Sequence, residues 1–144
     1  MSGVRWRSAW GLAPLLVAAT FGHGIPAVQA GGAWSQEVRA PTIRQRDWRY
    51  ETPGLTPHDV PNIERAQVTR VSWRYDYDPP DPAMNAWLCA ASTCVDASAG
   101  RGMSDAFAGT AAGTAFKFHF LVTGQGMLPT PLQSSGIQLI VNYR

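Results

Sequence analysis

The chain has 144 residues, 45% of them hydrophobic and 15% charged, with 12 basic side chains against 10 acidic ones and a formal net charge of +2. That length suits one small domain behind a short targeting segment, and the apolar fraction excludes a disordered, low-hydrophobicity chain. The charge balance lacks the basic excess that a nucleic-acid-binding face carries, so nucleic acid is not an expected partner.

The first residues read as an export signal. Residues 1–7 carry Arg5 and Arg7 and no acid, and residues 10–21 are apolar apart from small residues and Pro14. Gly22, Gly24 and Pro26 then lead into Val28-Gln29-Ala30. Small or β-branched residues at −3 and −1 fit signal peptidase, which places cleavage between Ala30 and Gly31. The apolar run is about a dozen residues, short of the roughly 20 that span a bilayer. No stable membrane insertion is therefore expected after cleavage, and no cysteine lies nearby for lipid attachment. Residues 1–30 are the expected signal peptide and residues 31–144 a single domain. Arg5 and Arg7 leave with the signal, so the mature part holds ten basic and ten acidic residues, its only lysine being Lys117.

Strand signals dominate that mature part. The chain contains 11 Pro and 14 Gly, and the runs between them alternate with period two. Residues 33–39 form an expected first strand, ended by Pro41. Residues 42–50 form a second, but Ile43 is out of phase with Trp48 and Tyr50, which calls for a bulge or break near Asp47. Residues 52–61 hold three prolines and a glycine and read as a loop. Val71, Trp73, Tyr75 and Tyr77 alternate with Ser72, Arg74 and Asp76 in the clearest strand, which extends back toward Ala66. Asp78-Pro79-Pro80-Asp81-Pro82 stops it, because proline cannot donate to a sheet ladder.

Residues 84–89 and 94–97 flank a four-residue loop and read as a hairpin with Cys89 and Cys94 opposite each other. These are the only two cysteines, and in an oxidising compartment a bond between them is the default. It closes so short a loop that it stabilises by only about 2 kcal/mol. The spacing is not that of a CxxC redox pair, and a metal site would require further ligands. Residues 103–107 are a short strand candidate. In residues 114–122, Phe116, Phe118, Phe120 and Val122 share one face, with Lys117 and His119 on the other. Gly124-Gln125-Gly126 turns the chain into residues 127–132, whose two prolines suit an edge. Residues 136–143 close the domain, with Ile137, Leu139, Val141 and Tyr143 facing one way. The fold class is all-β: a small antiparallel β-sandwich (Ig-like) of about 7–9 short strands, with a small barrel as the alternative.

Chemical motifs are sparse. His58 and His119 have no HxH, HExxH or cysteine partner and read as surface histidines. Ser104, Asp105 and His119 contain the residue types of a hydrolase, but no GxSxG elbow accompanies them. Asp76, Asp78 and Asp81 mimic the start of a calcium loop, yet the positions for its glycine and bidentate glutamate hold Asp81 and Trp87. The glycines between 100 and 113 lack phosphate-loop spacing and read as turns. Trp34, Trp48, Tyr50 and Trp87 are expected in the core, with a carbohydrate-stacking platform as the competing use. No catalytic, cofactor or metal site is expected.

The ordered segments Val71-Ser72-Trp73-Arg74-Tyr75, Trp87-Leu88-Cys89, Cys94-Val95, Ala106-Phe107-Ala108-Gly109, Phe116-Lys117-Phe118 and Ile140-Val141-Asn142-Tyr143-Arg144 resemble the flagellar protein FlhE family over residues 66–144. The resemblance implies a periplasmic β-sandwich accessory protein of the Gram-negative flagellum. Its partners would be flagellar rod or export-gate proteins, and its gene would lie beside those of export-gate membrane components. It also implies a part in flagellar type III secretion, in limiting proton leakage, and in a chaperone-like prevention of periplasmic flagella. The family carries no catalytic residues, and only the Cys89–Cys94 pair transfers residue by residue. Partner binding by strand addition would use the C-terminal strand or residues 127–132 as an edge. Arg74 and Gln138, outward by parity, are the expected partner-binding probes. An envelope- or carbohydrate-binding module is the alternative function, and a hydrolase a third.

Overall fold

Alternating large and polar side chains punctuated by Gly and Pro bury one face of each segment only when strands pair, and the chain does this ten times. The computed structural model describes residues 31–144. The expected signal peptide, including Ala30 at its cleavage site, lies outside the described residues. The strands are β1 (Gly32–Val38), β2 (Ile43–Gln45), β3 (Tyr50–Glu51), β4 (Val68–Tyr75), β5 (Met84–Ala90), β6 (Thr93–Asp96), β7 (Arg101–Ser104), β8 (Phe116–Val122), β9 (Met127–Leu132) and β10 (Ile137–Tyr143). A single 3-10 turn, Ile63–Arg65, precedes β4. Two four-stranded antiparallel sheets form, ordered β1-β10-β4-β7 and β3-β8-β5-β6, with β2 and β9 as a separate ribbon. The sheets face each other as a sandwich, and among the described residues no ladder closes them into a barrel.

The core lies between the two inner faces. Val71, Trp73 and Tyr75 of β4 and Ile137, Leu139 and Val141 of β10 are buried on one side. Leu88 of β5 and Phe116, Phe118, Phe120 and Val122 of β8 are buried on the other. The Tyr75 ring meets Phe118 and Phe120 edge-on at 6.2 and 5.2 Å, and Tyr77 meets Phe120 at 5.3 Å. Such contacts are worth roughly 0.5–1.5 kcal/mol each beyond the burial of area. Small residues make room for the rings: Ala86 lies opposite Phe120 and Ala90 opposite Phe116. Gly102 lies opposite Trp73, where a Cβ would sit 2.6 Å from the indole Cζ2. The phenols find acceptors at the margin of the core, as buried tyrosines require. Tyr75 donates to the Ala97 carbonyl, and Tyr77 donates to the Pro41 carbonyl at 2.8 Å.

Several expectations change in detail. The run at 42–50 splits into β2 and β3, with the break at Asp47, whose φ is 58°. That split raises the strand count to ten. The strand expected at 103–107 is instead β7, two residues earlier. The Ser104 hydroxyl accepts from the Ala106 amide and turns the chain, and Phe107 drops from that turn into the core against Phe116 at 5.2 Å. The loop at 52–61 contains a core residue, Leu55, bridged to Phe116. The C-terminal strand offers no docking edge, because β10 is paired on both sides, by β1 and β4. Proline-bearing β9 pairs with β2 alone and keeps an open side.

Burial pushes the Tyr75 hydroxyl from its ordinary value of 10.0 up to about 12, and burial raises Tyr77 as well. Above pH 10.0 the unfolded chain therefore releases tyrosyl protons that the folded chain keeps. Stability is full below that pH and falls as pH rises toward about 12. Urea unfolding followed from pH 9 to 12 should show this alkaline loss, and Tyr75→Phe should flatten it. An unchanged slope in the variant would contradict the assignment.

Candidate functional site

With the rings turned inward, the outer faces carry the polar chemistry. In the first sheet, Glu37, Gln138, Arg74 and Arg101 are successive cross-strand neighbours on β1, β10, β4 and β7. The adjacent outward row is Ser35, Ile140, Ser72 and Met103. The first row lines an open cavity of about 530 Å³, joined there by Asp76 and Ser135. The Asp76 carboxylate accepts from the Ser135 hydroxyl at 3.1 Å. Arg74 and Gln138 thus lie side by side on one polar concavity. Sequence reasoning singles out neither Glu37 nor Arg101. Arg101 adjoins a glycine-rich stretch that reads as a turn, and the outward face it shares with Met103 shows only once the strand is moved back two residues.

The second sheet presents Glu51, His119, Trp87 and Asp96 in one outward row, with Lys117, Cys89 and Cys94 in the next. Cys89 and Cys94 are disulfide-bonded across directly opposed positions of the β5–β6 hairpin. With Arg49, Trp87 and His119 they line a cavity of about 390 Å³. His119 departs from the surface expectation: set between Glu51 and Trp87, its side chain is only 17% exposed, with Nδ1 3.6 Å from Glu51 Oε2. His58 is at the surface, 3.0 Å from Asp59.

The remaining candidates separate. Ser104 lies on β7 at the rim of the first sheet while His119 faces outward from the second, so no hydrolase set assembles. Asp81 accepts from the Ala83 amide at 2.8 Å and pairs with Arg46 at 3.4 Å, whereas Asp76 faces Ser135. Among the described residues, no three metal-ligating side chains cluster. Trp34 is a core residue, donating from its indole to the Ala112 carbonyl, and the Tyr50 hydroxyl accepts from the Arg44 and Gln45 amides. Trp48 is not core: it follows left-handed Asp47 out of the strand and is 57% exposed. Trp48 and half-buried Trp87 are all that remain of the aromatic platform among those four residues.

Residues 40–144 match the family model described as flagellar protein FlhE. The chain belongs to the FlhE family. The match takes in residues 40–65, which precede the stretch whose sequence resemblance was evident. FlhE of Yersinia enterocolitica is 35% identical over 123 residues, 80% of this chain and 83% of that protein. FlhE of Escherichia coli K12 is 32% identical over 120 residues, 81% of this chain and 90% of that protein. A crystal structure of FlhE superposes with a TM-score of 0.72 at 30% identity, covering 81% of this chain and 99% of that one. FlhE is a flagellar protein family and not a known enzyme family. No helix among the described residues is long and apolar enough to cross a membrane.

The disulfide staples one hairpin and leaves both inner faces untouched. A Cys89→Ser, Cys94→Ser double variant should keep a cooperative unfolding transition and lose about 2 kcal/mol in urea titrations. Loss of cooperative folding would show that the bond holds more than its own hairpin.

Proposed function

We propose that this chain is a periplasmic accessory protein of the flagellum that binds rod or export-gate proteins and so regulates flagellar type III secretion. In this reading it limits proton leakage through the gate and, as a chaperone, keeps flagella from assembling in the periplasm. The observation that carries the proposal is the FlhE match across residues 40–144. The molecule's chemistry supports it: the histidine, serine and aspartate candidates are dispersed, while an ordered row of polar side chains crosses the outer face of the first sheet. A disulfide-bonded hairpin suits an oxidising compartment. Docking rather than chemistry is what such a surface performs, with Arg74 and Gln138 as the first residues to probe.

Protein recovered from the periplasmic fraction should begin at Gly31. Retention of residues 1–30 would contradict export by cleavage. A photoreactive residue at position 138 should form adducts with rod or export-gate proteins in flagellated cells and not in cells lacking those genes. Recovery of no flagellar component from that position or from position 74 would count against the docking role. Charge reversal at Arg74 together with a charged residue at Gln138 should reduce the adducts, and unchanged yield would show the surface to be misplaced.

A further inference from the structure

We infer that Arg74 and Arg101 together receive a carboxylate from an acidic segment of the protein partner, an inference that rests on the docking role proposed above. The two arginines are directly opposed on β4 and β7. Like charges placed directly opposite each other weaken an antiparallel pair, so the fold alone gives no reason for this arrangement. Neither guanidinium forms an ion pair among the described residues, whose pairs are Arg46–Asp81, His58–Asp59, Lys117–Glu51 and His119–Glu51.

Neither acid in the cavity, Asp76 or Glu37, forms an ion pair with Arg74 or Arg101. Asp76 is engaged by Ser135. Glu37 stands at the far end of the row, with Gln138 between it and Arg74, and its Oε1 would lie 2.9 Å from a Cβ at Gly136. Arg74 and Arg101 thus occupy the β4–β7 side of the concavity and Glu37 the β1 side, with Asp76 just past the end of β4 engaged by Ser135. Gly100 has a φ of 70°, and a Cβ there would lie 2.9 Å from the Tyr75 carbonyl oxygen. That part of the wall is consequently bare backbone, and Arg74 and Arg101 are both exposed.

The guanidiniums of Arg74 and Arg101, from opposed positions lining one cavity, each offer the parallel N–H pair that matches a carboxylate. The Gln138 amide, able both to donate and to accept, suits the backbone of an extended peptide. A volume of about 530 Å³ accommodates a peptide segment, and the polar lining disfavours an apolar small molecule. In the next row, Ile140 and the 67% exposed Met103 provide apolar contact for a neighbour of the acid. A partner segment combining glutamate or aspartate with an adjacent apolar residue fits both rows. Inorganic phosphate shares part of this chemistry but would leave the second row unused.

The test is a titration of the 15N-labelled exported protein with three probes: a peptide of three Glu-Leu repeats, its Gln-Leu counterpart, and inorganic phosphate. With the acidic peptide, the Nε–Hε signals of Arg74 and Arg101 and the side-chain amide of Gln138 should shift together and saturate, while those of Arg39 and Arg65 stay in place. The Gln-Leu peptide should leave all of them unmoved. An Arg74→Gln, Arg101→Gln double variant should bind the acidic peptide at least tenfold more weakly. Arg101→Glu, which places an acid opposite Arg74, should abolish binding while raising the melting temperature. Equal binding of the Gln-Leu peptide, uniform shifts of every exposed arginine, or phosphate binding that the peptide does not displace would each overturn the assignment. So would an Arg101→Glu variant that melts lower and still binds. Flagellar adducts from other faces alongside a silent titration would overturn this site alone. A saturating titration without flagellar adducts would instead overturn the flagellar reading.

Discussion

The meeting of the Tyr75 and Tyr77 rings with Phe118 and Phe120 across the sandwich is the constraint on which the rest of the structure depends. Their cross-strand partners differ in size: Ala86 lies opposite Phe120 and Gly102 opposite the neighbouring Trp73, while Ile137 lies opposite Tyr75 and Leu88 opposite Phe118. Phe107 and Leu55 also enter the core beside Phe116, one from a turn and the other from a loop. Segments without regular strand structure are thereby pinned, so the core extends beyond the two sheets that define it.

A strand has a period of two, so each ring turned inward fixes a neighbour turned outward. With Trp73 and Tyr75 inward, Ser72 and Arg74 face out. With Leu139 inward, Gln138 and Ile140 face out. Pairing in the β1-β10-β4-β7 register then brings outward residues from four distant parts of the chain into line, from Glu37 through Gln138 and Arg74 to Arg101. The polar concavity is thus a consequence of aromatic packing on the opposite side of the same sheet. Membership of the FlhE family gives the chain a flagellar setting, and the proposed docking role gives the opposed arginines a use.

Where alternation is strong and local, the chain is readable directly. The strand around Val71-Ser72-Trp73-Arg74-Tyr75, the phenylalanine strand at 116–122, the closing strand and the cysteine hairpin all follow from period two and proline stops. The outward directions of Arg74 and Gln138 follow as well. Strand order does not, because it depends on pairings between residues far apart in sequence. For that reason β10 resembled a free terminal edge yet lies between β1 and β4, and Arg101 gave no hint that it faces Arg74. Parity also misjudges His119, which is on the outward face but enclosed by Glu51 and Trp87 from the neighbouring strands. Trp48 erred in the opposite direction, because a left-handed Asp47 interrupts the alternation that would have buried it.

Native-state amide hydrogen exchange tests the central claim most directly, because it ranks segments by the free energy needed to open them. If the β4–β8 ring contact holds the sandwich, the amides of Arg74, Gln138, Trp87 and His119, which face the central β4–β10 and β5–β8 pairings, should exchange only through global unfolding. Those of β3, β7 and β9 should open locally at lower cost. Exchange at Arg74 and His119 as easy as in those short outer strands would contradict the account.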